Sequence, residues 1–180
     1  RELAILTKDG VTVINSYGER VNCVYEHIDW DASAAEKCGY PHFMIKEIME
    51  QPEAIAKTIA PRISNGRIEL GFKHITAEML KKVNSIKIIG CGSAYHVGFV
   101  AGYFMRAALR IPVESVLASE FRYDDPIVDE NTLAIVISQS GETLDTLYGL
   151  REAKKHGAKT IAIVNVVGST IANESEDVLY

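Results

Sequence analysis

Two short stretches of this 180-residue chain concentrate side chains that can hold an anion. One is SQSGET, residues 138–143, and the other is GCGSAY, residues 90–95. Each follows an apolar run that reads as a strand and opens a run that reads as a helix. The first turn of a helix carries N–H groups with no intrahelical acceptor, and the helix dipole adds positive potential there. Such a corner is a ready anion site, and glycine lets the backbone approach the anion closely. Ser93, Ser138, Ser140 and Thr143 offer hydroxyl donors, and Gln139 offers its amide. This set suits phosphate oxygens without needing a lysine. A single corner of this kind is more simply a helix cap, with Ser140 capping and Glu142 near the positive helix end. Two such corners on one sheet edge shift the balance towards a binding site made of Gly92, Ser93, Ser138, Gln139, Ser140 and Thr143.

Other motifs carry less. No GxxxxGK[ST] is present, so the P-loop is excluded. Gly90 and Gly92 fit the first two glycines of GxGxxG, but Tyr95 takes the third place, so a dinucleotide reading ranks below a phosphate site. His96, one turn into the helix, reads as a packing or surface residue rather than a general base. Tyr95 is more simply a buried aromatic than a stacking platform for a ligand. Glu120, Arg122 and Tyr123 of SEFRY read first as a structural loop with an internal salt bridge, and second as part of a site or interface. Cys23, Cys38 and Cys91 are odd in number and form no CxxC, and the five histidines show no metal spacing. The sequence thus points to neither a disulfide framework nor a metal centre, and no cofactor is expected.

The totals agree with a globular domain. Hydrophobic residues make up 47% and charged residues 24%, and the net charge is −5. With no basic run, nucleic acid is not an expected partner. No apolar stretch approaches the length of a membrane span, and a cytoplasmic location is the reading of the cysteine usage. The chain starts at Arg1 rather than Met and stops on VLY, so a fragment of a longer protein is expected.

The elements that must position these residues follow from periodicity. LAILT and VTVIN flank KDG, which predicts a hairpin turning at Asp9-Gly10, and VNCVYEHI continues the strand pattern. Residues 29–40 read as a polar connector. Met44, Ile45, Ile48 and Met49, then Ile55, Ala56 and Ile59, fall at helical spacing. Pro52 suits the first position of a second helix and Pro61 a stop, so two short amphipathic helices are predicted. Gly66 and Gly71 mark loops, and Thr76 is a candidate N-cap for ITAEMLKKV. From residue 85 strands and helices alternate: SIKIIG, VESVL, LAIVIS, KTIAIVN and VLY are the strands. That order implies a parallel sheet with helices on both faces. The unalternating runs IKIIG, LAIVI and TIAIV fit strands buried on both sides. The fold class is therefore α/β, three layers, α-β-α. Amphipathic helices and a small β segment precede it.

These residues resemble a known family. IIGCGSAYHVG, ASEFRY and SQSGETLDTLYGLREAKKHGAKTIAIVN look like the first sugar isomerase (SIS) domain of the isomerizing glutamine–fructose-6-phosphate aminotransferases. DWDASAAEKCGYPHFMIKEIMEQPEAI resembles the segment joining that family's glutaminase domain to its isomerase half, and the first 30 residues resemble the last glutaminase strands. The resemblance implies three parts: 1–30 as the tail of a glutaminase-like β segment, 31–84 as linker and helices, and 85–180 as the first SIS domain, truncated at its C-terminal end. It implies binding of a sugar 6-phosphate, fructose 6-phosphate or glucosamine 6-phosphate, in hexosamine synthesis. It also implies further glutaminase and second SIS domains as partners, and a homodimer.

The family's phosphate site maps onto Ser93 and onto Ser138, Gln139, Ser140 and Thr143, in agreement with the corners derived above. Where the family often has CGTS, this chain has Cys91-Gly92-Ser93-Ala94, so one hydroxyl is kept and one is lost. The family's catalytic cysteine, glutamate, lysine and histidine belong to other parts of the enzyme, so no catalytic residue is expected in this chain. The rival readings are a regulatory SIS module sensing a sugar phosphate, which would want a DNA-binding helix-turn-helix before residue 85, and a self-contained sugar-phosphate isomerase, which would want its own acid–base residues.

Overall fold

A computed structural model describes residues 2–24 and 36–180. The chain divides into two compact units, residues 1–49 and 50–180. In the first, β1 (Glu2–Thr7) and β2 (Gly10–Asn15) pair antiparallel, and β3 (Arg20–Val21) adds to β2. The turn is one residue earlier than predicted: Thr7 pairs with Gly10, so Lys8 and Asp9 make the loop and Gly10 opens β2. The Thr7 hydroxyl sets this register, donating to the Gly10 carbonyl and accepting from the Asp9 N–H. Leu3, Ile5 and Leu6 are exposed, so this small sheet buries little apolar surface of its own. The expected strand pattern through VNCVYEHI stops at Val21: residues 22–24 are irregular, while residues 25–28 and most of the 29–40 connector lie outside the described residues.

One helix, α1 (Phe43–Ile59), stands where two were predicted, with Pro52 inside it. Proline there removes a single N–H. The flanking turns, rich in Glu, Lys, Ala and Ile, carry the helix through. A 3₁₀ turn at Ala60–Arg62, with Pro61 near its start, ends it. Two-residue strands β4 (Ile63–Ser64) and β5 (Arg67–Ile68) then form a hairpin that the loop reading missed. Its signal was present: Asn65 and Gly66 both take positive φ, 50° and 71°, as an Asn-Gly type I′ turn requires. Helix α2 (Ala77–Leu80) is capped by Thr76, whose hydroxyl accepts from the Met79 N–H.

The sheet that positions the polar corners has five parallel strands: β6 (Ser85–Gly90), β7 (Val113–Leu117), β8 (Thr132–Ser138), β9 (Lys159–Val164) and β10 (Asp177–Leu179). Their spatial order is β10-β9-β8-β6-β7. Helix α3 (Ser93–Leu109) covers one face, where Ile86, Ile88, Val113, Leu133 and Ile161 are buried with Ala101 and Met105. On the other face α4 (Ala118–Phe121), α5 (Leu144–Lys155) and α6 (Thr170–Glu174) pack over Ile89, Ala134, Val136, Ala162 and Val164. The central strands are thus buried on both sides, as their unalternating apolar runs predicted. Gly98 lets α3 lie close: a Cβ there would stand 2.7 Å from both Ile88 Cγ2 and Ser115 Oγ.

At the sheet edge, the Asp177 carboxylate fastens the segment entering the domain. It accepts backbone N–H bonds from Lys73 (2.7 Å), His74 (3.0 Å) and Ile75 (2.7 Å). Burial opposes its charge, but these three donors outweigh burial and hold its carboxyl below the usual range. The SEFRY stretch forms α4 and its exit. The expected salt bridge is not what holds it: the Arg122 guanidinium lies over the rings of Tyr123 and Tyr148, at 4.5 and 4.7 Å from their centroids. Phe121 is buried against Ile89 and Ala118.

Candidate functional site

The strand order decides where a ligand can sit. From β6 the chain crosses over α3 to β7 on one side, whereas β8 lies on the other side of β6. The connections leaving β6 and β8 therefore diverge, and a crevice opens beyond the carboxyl ends of these two strands. GCGSAY ends β6 and SQSGET ends β8, and Gly90 pairs with Ile137 across the two strands. Corners 48 residues apart in sequence (138 − 90) are brought side by side.

They enclose a cavity of about 190 Å³. Ser138, Gln139, Ser140 and Thr143 line it from the second corner, Cys91, Ser93 and Ala94 from the first. Ile137 and Thr146 complete the wall, which contains no charged side chain. Of the six residues singled out from sequence, five line this cavity. The sixth, Gly92, does not: it heads α3 with φ +55° and shapes the turn that turns Ser93 inward. Thr146 was not anticipated, although it stands three residues after Thr143 on the same helical face.

The hydroxyls are already organised. Ser138 Oγ accepts from the Gly141 N–H (3.1 Å) and is 3.0 Å from Thr143 Oγ1. One proton serves that hydroxyl pair, so the other hydroxyl proton remains for a ligand. Ser140 Oγ accepts from the Glu142 N–H (3.2 Å), which leaves its own proton to donate. Thr146 Oγ1 donates to Cys91 Sγ at 3.7 Å and ties the two corners together. Behind them are the amino ends of two long helices, α3 and α5, whose first-turn amides and dipoles favour an anion.

The turn itself depends on Gly141. Its φ is +66°, and an added Cβ would stand 2.0 Å from Ser169 Oγ and 2.5 Å from Ser169 Cβ. Glu142, the one acid of SQSGET, points away from the cavity. It accepts from the Thr170 N–H at the head of α6 (2.7 Å), and this bond holds its carboxyl below the usual range. The sequence reading set Glu142 at the positive end of the helix that SQSGET opens, with Ser140 as its cap; instead Thr143 is the N-cap residue of α5, without a side-chain cap bond, and the Glu142 carboxylate turns to the head of α6.

A larger pocket of about 550 Å³ adjoins the cavity and shares Ser93, Ala94, Ile137, Ser138 and Gln139 with it. It adds Val97, Ile163 and Leu179 as apolar wall, and Thr58, Arg62 and Asn165 as polar groups. These last three were not anticipated, because nothing in their local sequence marks them. His96 lies outside both and its ring meets Tyr95 edge-on. Among the described residues no group of His, Cys, Asp and Glu has the geometry of a metal site, and no helix is long and apolar enough to cross a membrane.

Comparison with known proteins agrees with this architecture. The SIS domain model matches residues 79–180. The glutamine–fructose-6-phosphate aminotransferase [isomerizing] of Clostridium tetani is 52% identical over 180 residues, covering 99% of this chain and 30% of that protein. The solved C-terminal domain of glucosamine-fructose-6-phosphate aminotransferase from Francisella tularensis superposes with a TM-score of 0.74 at 40% identity, over 80% of this chain and 40% of that one. A glucosamine-6-phosphate deaminase from Thermotoga maritima follows with a TM-score of 0.59 at 26% identity, over 77% and 40% of the two chains. The chain spans about a third of the length of the curated relatives it matches. With more than half of its residues matched, and with two polar corners at the switch point of a five-stranded parallel sheet, the chain belongs to the SIS domain family.

Proposed function

We propose that this chain is the phosphosugar-binding part of an isomerizing glutamine–fructose-6-phosphate aminotransferase. One observation carries the reading: SQSGET and GCGSAY share one small, uncharged, hydroxyl-lined cavity at the heads of two long helices. The phosphate of fructose 6-phosphate or glucosamine 6-phosphate occupies that cavity. Ser93, Ser138, Ser140 and Thr143 donate to its oxygens, with Gln139 and the helix-end amides, and the dipoles offset its charge. The carbon chain of the sugar extends into the adjoining pocket, whose apolar wall excludes water and whose Asn165 reads a hydroxyl. Ala94 leaves the sugar one hydroxyl contact fewer than a serine would.

In this reading the chain binds and orients, and the ammonia-releasing and proton-transfer groups belong to the remaining glutaminase and second isomerase domains. Residues 1–30 are the end of the glutaminase part, 31–84 the linker and 85–180 the first isomerase domain. The assembled protein is a cytoplasmic homodimer.

The test is calorimetric titration with fructose 6-phosphate and glucosamine 6-phosphate, with unphosphorylated fructose as control. Saturable binding that requires the phosphate, and that falls about tenfold in Ser140→Ala for the loss of one hydrogen bond to a charged group, is expected. Binding of fructose equal to that of its phosphate, or binding unchanged in Ser140→Ala, would remove the phosphate from this corner.

A further inference from the structure

We propose that Glu142 is a positioning residue for the phosphate, acting through the β9–α6 connection rather than by touching the ligand. An acid inside an anion-binding loop is a physical oddity, since its charge opposes the ligand's. The structure resolves it by geometry. Glu142 is absent from the cavity wall, and its carboxylate is spent on the Thr170 N–H (2.7 Å), with the Thr170 hydroxyl also against it.

Two further bonds join the same pair of segments. The Ile171 N–H donates to the Gly141 carbonyl (3.0 Å), and the Asn165 N–H donates to the Gln139 carbonyl (3.1 Å). Residues 139, 141 and 142 are thus held at three successive points by residues 165–171. Ser169 fills the space directly beneath Gly141, so the loop has no room to settle on that side. The backbone amides and hydroxyls that would meet a phosphate are fixed by these contacts, and binding groups misplaced by about 1 Å lose much of their effect. Of the three bonds only the Glu142 contact uses a side chain, so it alone can be altered by substitution at the loop.

The inference rests on the phosphate reading above, and the experiment separates the two. Fructose 6-phosphate and inorganic sulfate are titrated into the whole chain as wild type, Glu142→Ala, Glu142→Gln, Thr170→Pro and the Glu142→Ala/Thr170→Pro double variant. Thr170 is the first residue of α6, and Ser169 before it is extended (ψ 159°), so proline fits there and deletes only the donor N–H and the hydroxyl. Glu142→Ala and Thr170→Pro are each expected to weaken both ligands by roughly tenfold, with the double variant no worse than either single one. Glu142→Gln, which keeps an acceptor for Thr170, is expected to recover most of the affinity, although its charge is gone. Should Glu142→Ala fold poorly, Glu142→Gln and Thr170→Pro still decide the matter. Wild-type affinity in Thr170→Pro, or losses that add in the double variant, would overturn the positioning role while leaving the phosphate site standing. No binding of either ligand by the folded wild type would overturn the phosphate reading and this inference with it.

Discussion

Gly141→Ala tests the geometry of the site most sharply. Its cost has two separable parts. The first is conformational: Gly141 has φ +66°, and a left-handed backbone costs an L-residue about 1–2 kcal/mol. The second is steric. The new Cβ would meet Ser169 Oγ at 2.0 Å and Ser169 Cβ at 2.5 Å, against the roughly 3.5 Å that carbon contacts need. Rotation of the serine hydroxyl removes the first overlap but not the second, so the loop must move by about 1 Å or more. A displacement of that size at a binding constellation costs on the order of a hundredfold. Affinity for fructose 6-phosphate, read by calorimetry, should therefore fall by about two orders of magnitude, with a lower melting temperature.

Adding Ser169→Gly removes both overlapping atoms and leaves Val164 Cγ1 at 3.6 Å, an ordinary contact. Ser169 Oγ makes no hydrogen bond among the described residues, so its removal breaks none. Only the backbone part then remains; it burdens the free and the bound chain alike and so lowers the melting temperature, and the double variant should regain most of the roughly hundredfold loss of affinity. Gly141→Ala binding within about threefold of wild type, or no recovery in the double variant, would refute the reasoning.

Further outcomes are expected elsewhere. Asp177→Ala leaves three backbone donors at residues 73–75 without their acceptor and should cost roughly 3 kcal/mol, lowering the melting temperature by about 6–12 °C. Because the Asp177 carboxyl is held below its usual range, its contribution is fully present above about pH 4 and is lost as pH falls through the lowered native value. Denaturant titrations of wild type and Asp177→Asn should accordingly converge as the pH is lowered, and a constant gap would count against the assignment. Gly98→Ala puts a methyl 2.7 Å from Ile88 Cγ2 and Ser115 Oγ, so α3 must shift; a loss of about 1–3 kcal/mol together with weaker sugar-phosphate binding is expected in paired melting and binding assays. Thr76→Ala should cost about 1 kcal/mol for its cap and leave the affinity for fructose 6-phosphate unchanged.

Much of the domain was legible because it rests on local patterns. The five strands of the α/β sheet announce themselves as unbroken apolar runs, since strands covered on both faces need apolar side chains at every position. The polar corners stand out because hydroxyls and glycine at a strand-to-helix junction have few structural uses. Where local rules compete, the reading failed: Pro52 signals a helix start, yet one missing N–H does not break a helix whose flanking turns all favour it. The Thr7 hydroxyl moved the hairpin turn by one residue.

The sequence by itself determined the parallel α/β sheet and both corners, and five of the six residues it singled out line the cavity. Only the tertiary structure decided that the corners are neighbours, because strand order is set by packing across the sheet and not by any local pattern. It also decided the supporting groups: Thr146, Asn165, Arg62 and the Glu142–Thr170 bond. These join segments from 26 to 118 residues apart, and no periodicity records which distant backbone a side chain will meet once the chain is folded.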